Sequence, residues 1–334
     1  MTMMDVTAGL DSFSFEAGLT EEEKKFIYLR SRAAGLTFCG CAHAVFLCKL
    51  LQSLRATIKS HSTTTRDSPT SEEDRDLCVG IVGIGHLGKQ LLRSLLEKSG
   101  IKPSNIRISS RRTESTAEFI QAGVGCFINI GRLAAWADIL FLCCLPSHLP
   151  KVCADLRSHL SKHCLVYSFA SAMPLTRLAH LLGHDFILKP QYVTGDAVGV
   201  WQSCTDMKTA LKDPLLIEAS CPLTMSSGIS LGLNWVCAVL YSLLNICSSA
   251  SLGSSDALCL INSILQETGA HMDELKSQTF ICASYASSLL PEEPFPWISL
   301  TDAQTKDTPL QCCLSSNKPM QQSISAAYKH MLQN

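Results

Sequence analysis

Apolar and polar positions divide the chain into three regimes. Residues 33–51 form a nearly unbroken apolar stretch, interrupted by Thr37, His43 and Lys49, and its length predicts a helix. From residue 77 onward, short apolar runs of strand length alternate with stretches of helical spacing. The runs at 77–82, 106–109, 126–128, 138–144, 164–168 and 186–188 read as strands, and 89–98, 116–122, 130–137 and 152–160 as helices. The run at 138–144 carries almost no polar position, as expected of a strand covered on both faces. Beyond residue 220 the pattern turns helical, with a long apolar segment at 228–247 and further helical stretches at 257–265 and 267–288. The proline-containing tail, 291–318, reads as irregular. This alternation predicts an α/β protein: a Rossmann-like doubly wound parallel sheet over 76–220, followed by a smaller helical domain over 221–334. Residues 1–75 are expected to form an N-terminal helical extension and a flexible linker.

Within that extension, Thr20 and Glu23 have the spacing of a capping box that opens a helix. The apolar stretch after it is long enough to cross a bilayer. Gly35, Gly40, the polar insertions and the approach of Arg55 and Lys59 argue instead for a helix packed on the protein or a partner. The chain starts without a basic segment of secretory type. Residues 60–75, rich in Ser, Thr and charge, read as the linker.

Composition narrows the functional class. The 334 residues carry a net charge of −1 with both signs interspersed, which gives no nucleic-acid surface. Seventeen cysteines are scattered through apolar runs without metal-ligand spacing, the usage of reduced, buried thiols in a cytoplasmic protein. Neither a metal site nor a catalytic thiol is expected.

The informative motif lies where the first strand run ends. Gly83, Ile84, Gly85, His86, Leu87 and Gly88 form a Gly-x-Gly-x-x-Gly turn between a strand and a helix. Such a turn lets the first glycine reverse the chain, the second admit a pyrophosphate, and the third seat the helix against the sheet. The helix N-terminus then offers free N–H groups to phosphate. After the second strand come Ser109, Ser110, Arg111 and Arg112, with no carboxylate before Glu114. A carboxylate there would take the ribose hydroxyl of NAD, whereas guanidinium groups suit a 2′-phosphate, so NADP is the expected cofactor.

These features make the chain resemble the pyrroline-5-carboxylate reductase family over roughly residues 77–265. The resemblance rests on the 79–88 fingerprint, the Ser109–Ser110 pair, and the 137–142 run leading to Pro146 and Pro150. It implies that Cys144, Leu145 and Pro146 approach the cofactor after strand four. It implies the same of Ala170, in the diverged 168–172 turn, and of Gln191, near the family's nicotinamide asparagine. It also implies a homodimer through the helical domain. The chain departs from the family where substrate is held. Residues 226–230 are at best a remnant of the Ser-Gly-Pro-Ala-Tyr motif, no Pro-Gly-Gly-Thr-Thr loop occurs over 249–334, and Leu145 replaces a lysine.

The expected chemistry is hydride transfer from NADPH to a small imine or carbonyl substrate. The rival reading is an NADPH-binding interaction module without turnover. His86, His148, Lys189 and Tyr192 are minor candidates for proton transfer, with an ordinary surface or core role as the default for each.

Overall fold

The structure is a computed structural model that describes residues 18–63, 76–110, 116–195, 198–204, 206–224, 227–266 and 274–334. Its first element is one helix of 43 residues, α1 (Glu21–Thr63). The capping box is present: the Thr20 backbone N–H donates to Glu23 at 2.8 Å, and the Glu23 N–H donates to the Thr20 hydroxyl at 3.3 Å. The expected linker start at residue 60 is corrected, because the helix runs to Thr63; residues 64–75 lie outside the described residues.

A six-stranded parallel sheet follows. Its strands are β1 (Val79–Val82), β2 (Ile106–Ser109), β3 (Gly125–Phe127), β4 (Ile139–Leu142), β5 (Leu165–Ser168) and β6 (Ile187–Leu188). The spatial order β3-β2-β1-β4-β5-β6 reverses between β1 and β4. That reversal is the switch point of a Rossmann-like doubly wound fold. The crossovers carry α2 (His86–Lys98), α3 (Ala117–Gln121), α4 (Ile130–Trp136), α5 (Leu149–Leu156) and α6 (Leu175–Leu182). β1 and β4 are buried along their whole length, which explains their apolar runs. Gly80 keeps β1 thin, since a Cβ there would lie 2.7 Å from Leu140 Cδ1.

The chain then adds β7 (Tyr192–Thr194), the short helices α7 (Met207–Ala210) and α8 (Pro214–Ala219), and β8 (Ile229–Leu231). β7 pairs antiparallel with β8, across the boundary expected at residue 220. The segment expected as a single helix over 228–247 is therefore corrected. Its first residues form β8, and after Gly232 the helix α9 (Leu233–Ser249) begins. The remaining helices are α10 (Ser254–Gln266), α11 (Ser277–Phe280), α12 (Ala283–Ser288), α13 (Leu300–Thr305), α14 (Pro309–Ser316) and α15 (Lys318–Gln333). The stretch expected to be helical over 267–288 is broken between α11 and α12, and residues 267–273 lie outside the described residues. The tail is also corrected, because two helices occupy it. Ser299 caps α13, and Thr308 caps α14 with Pro309 in its first turn.

Two hydrophobic cores lie against the two faces of the sheet. One joins Val82, Leu140, Leu142 and Val166 to α4, α5 and α6. The other joins Ile81, Phe141 and Tyr167 to α1, α2 and the helices after β8. The N-terminal helix is thus a core element. Residues from Phe38 through Cys48 are all buried, and its most apolar window is 78% buried inside the fold. Arg55 fixes its second half to the amino ends of the strands through Asp138, at 2.8 Å, and the same carboxylate oxygen accepts from Cys78 N–H.

Candidate functional site

The glycine turn sits at the carboxyl end of β1, where the strand order reverses. Gly83 has φ +96°, and a Cβ on it would stand 2.9 Å from the backbone of Cys143 and Cys144, just past β4. The turn and the end of β4 therefore touch, and Cys143 N–H donates to Val82 O at 2.8 Å. A Cβ on Gly88 would collide with the carbonyl oxygen of Gly83, so α2 approaches the turn as closely as backbone allows. Gly85 differs, since a Cβ there meets nothing within 4 Å. It is the N-cap of α2, and no side chain caps the first-turn N–H groups. The helix starts at His86, three residues before the expected position, which brings His86, Leu87 and Gly88 into that turn.

The other expected cofactor residues occupy neighbouring strand ends. Ser109 closes β2, and Ser110 follows it; both are partly buried. Arg111 and Arg112 lie outside the described residues. Beyond β4, Cys144 is partly buried, and Leu145 stands 64% exposed ahead of Pro146. Burial pushes the Cys143 thiol well above its usual range and raises that of Cys144, so both are protonated sulfurs. Ala170 is buried after β5, its N–H on the Ser168 hydroxyl at 3.3 Å. Gln191 is exposed, between β6 and β7. Ile84 and Leu87 pack against the larger core. The described members of the expected set thus lie at the carboxyl ends of β1, β2, β4, β5 and β6 or in the segments that follow them.

Of the minor candidates, His86 and His148 are exposed. Tyr192 turns its hydroxyl inward. His43 Nε2 donates to the carbonyl of Ser220 at 2.8 Å, which leaves Nδ1 to accept from the Tyr192 hydroxyl at 2.9 Å. Burial pushes the His43 pKa down to about 4, so the ring is neutral. Lys189 directly follows β6 and is 5% exposed. Its Nζ donates to Ser171 O at 3.2 Å, and its backbone N–H donates to Gln304 Oε1 at 3.0 Å. Burial lowers its pKa. No carboxylate pairs with it among the described residues. Gln304 in α13 was not visible as a site residue in the sequence; no motif marks it, and its partner lies 115 residues away.

Two surface clefts, of about 540 and 280 Å³, lie at the opposite end of the sheet. One is lined by Lys162, His163 and Trp297 ahead of β5 and β6, the other by Arg55, Lys59 and Asp76 ahead of β1. Neither opens on the glycine turn. Among the described residues no group of His, Cys, Asp and Glu has metal-binding geometry.

The chain is similar to several known proteins. The sequence pattern of a family described as NADP oxidoreductase coenzyme F420-dependent matches residues 78–171. The pyrroline-5-carboxylate reductase of Escherichia coli is 32% identical over 108 residues, which cover 32% of this chain and 40% of that enzyme. A solved pyrroline-5-carboxylate reductase from Coxiella burnetii aligns with 77% of this chain and 98% of its own, at 14% identity and a TM-score of 0.33. The mouse NADP-dependent oxidoreductase domain-containing protein 1 is 40% identical over 343 residues, covering 97% of this chain and 93% of the mouse protein. With its fingerprint intact and nearly its whole length matched, the chain belongs to the family of NADP-dependent oxidoreductase domain-containing protein 1, a divergent relative of the pyrroline-5-carboxylate reductases.

Proposed function

We propose that this oxidoreductase-family chain binds NADPH at the β1–β4 switch and reduces the C=N or C=O group of a small molecule. The carrying observation is the open side of Gly85, beside uncapped N–H groups at the start of α2. A pyrophosphate needs that combination of close approach and free donors. Gly83, Ile84, Gly85, His86, Leu87 and Gly88 would hold the diphosphate. Ser109, Ser110, Arg111 and Arg112 would meet the 2′-phosphate ribose. Cys144, Leu145, Pro146, Ala170 and Gln191 would line the path toward the nicotinamide. A bound cofactor would supply the hydride, and the residues at the strand ends would position the acceptor.

Preference for NADPH over NADH is tested by replacing Arg111 and Arg112 with alanine. Losing charge-assisted bonds of about 1.5–3 kcal/mol should weaken NADPH roughly tenfold to a hundredfold and leave NADH nearly unchanged. Equal losses for both cofactors would remove the 2′-phosphate assignment. Turnover is tested by following NADPH oxidation with a panel of cyclic imines, aldehydes and 2-oxo acids. Substrate-dependent oxidation supports an enzyme; its absence across the panel supports a binding module.

A further inference from the structure

Lys189 is an unusual residue for its position. It directly follows β6, so it lies on the β4–β6 half of the sheet, opposite the half that carries the glycine turn. In a doubly wound fold the two halves take the two nucleotides, and the nicotinamide falls on the half away from the fingerprint. The Lys189 ammonium is held there by a single bond to Ser171 O, in the turn that follows β5. That turn is itself tied to β4, because Phe169 N–H donates to Leu142 O at 3.1 Å. Nζ has two further N–H directions without a partner among the described residues. The hydrogen-bond partners of Lys189 are neutral: Ser171 on the β5 side, and Gln304 of α13, which also donates to Ile187 O and Leu300 O. The nearby Asp302 pairs with Lys306 at 3.0 Å. A buried cation without a counter-charge costs free energy, and such a group at a crevice calls for a role.

We propose that Lys189 donates the proton to the oxygen of a carbonyl acceptor, which makes the substrate of this crevice a small aldehyde or ketone. The inference rests on the oxidoreductase reading and narrows it. An iminium ion takes hydride with no proton to be delivered, so it has no use for this lysine. A carbonyl does need one. As hydride reaches the carbon, the C=O π pair takes a proton from the Lys189 ammonium. One N–H bond breaks, one O–H bond forms, the carbon is reduced and the cofactor oxidised. Solvent beside the exposed Ser171 returns the proton to the amine.

The test compares wild type, Lys189→Arg and Lys189→Met. Arginine keeps a cation that can bond Ser171 O but does not release its proton. Methionine keeps most of the volume and no donor. Both variants are expected to bind NADPH within about threefold of wild type by fluorescence titration, and to lose roughly a hundredfold or more in kcat with aldehydes and 2-oxo acids. A cyclic iminium substrate, if turned over by wild type, is expected to be unaffected by either change. Independently of turnover, ¹³C-labelling of the lysine ε-carbons should show Lys189 titrating below the surface lysines in protein loaded with NADP⁺. Carbonyl turnover retained by Lys189→Arg, or a Lys189 that titrates with the surface lysines, would overturn the proposal. Turnover of imines alone would overturn it while leaving the oxidoreductase reading standing. No turnover of either class by a folded, NADPH-binding protein would overturn both.

Discussion

A Cβ placed on Gly85 meets no atom within 4 Å, whereas one on Gly88 runs into the carbonyl oxygen of Gly83. The two glycines therefore predict separable phenotypes. Gly85→Leu should fold with an unchanged melting temperature and lose dinucleotide binding, because its side chain fills the space left for the diphosphate. Gly88→Ala should instead lose about 1–3 kcal/mol of stability, read by chemical denaturation, since backbone must move to admit the methyl group. His43 gives a pH signature. Its folded pKa of about 4 lies below the ordinary 6.5, so between these values the unfolded chain binds the extra proton. Stability from neutral burial is thus complete above about pH 6.5 and declines as pH falls toward 4, by roughly 3 kcal/mol in all. His43→Gln should flatten that part of the profile in denaturation series run across this range. At this scale legibility followed sequence distance. The turn from Gly83 to Gly88 is local and could be read directly. The partners of His43 lie 149 and 177 residues away, and nothing in the apolar context of 33–51 announces them.

The long helix α1 is held in place by the absence of side chains at two positions. A Cβ on Gly35 would lie 2.6 Å from Ile229 Cδ1 and the Trp201 ring, and one on Gly40 would lie 2.9 Å from the ring of Phe169. Gly35→Val is expected to cost about 1–3 kcal/mol in urea denaturation, because the helix must lift off β8 and Trp201. An unchanged midpoint would mean that α1 does not pack as described. In the sequence these glycines counted against a membrane span, and their use as contact points required the fold. Other elements were misread for related reasons. The apolar run 228–247 hid a strand–helix junction at Gly232, since a buried strand and a buried helix have the same composition when too few polar positions report the period. The prolines of the tail suggested irregular chain, yet Pro309 occupies a first-turn position where its missing N–H costs nothing. The strands of the sheet were legible because β1, β4 and β5 are covered on both faces and tolerate little but apolar side chains.

At the scale of the molecule, a dinucleotide fold has its second face covered from within the same chain. Twelve residues of α9 are buried, and α1 lies against both α9 and α2, so this apolar helix is enclosed within the chain. The candidate cofactor half of the site was legible from the glycine turn and the strand ends. Lys189 could be named from the sequence but its setting could not, because it draws on Ser171 and Gln304 in separate parts of the chain. The whole account depends on whether the open turn at Gly85 takes a nicotinamide dinucleotide. Fluorescence titration of the full-length protein with NADPH and, in parallel, NADH tests this most directly. The account predicts saturable micromolar binding, with NADPH held roughly tenfold or more tighter than NADH. Failure to bind either nucleotide, by protein that unfolds cooperatively in the same buffer, would contradict it.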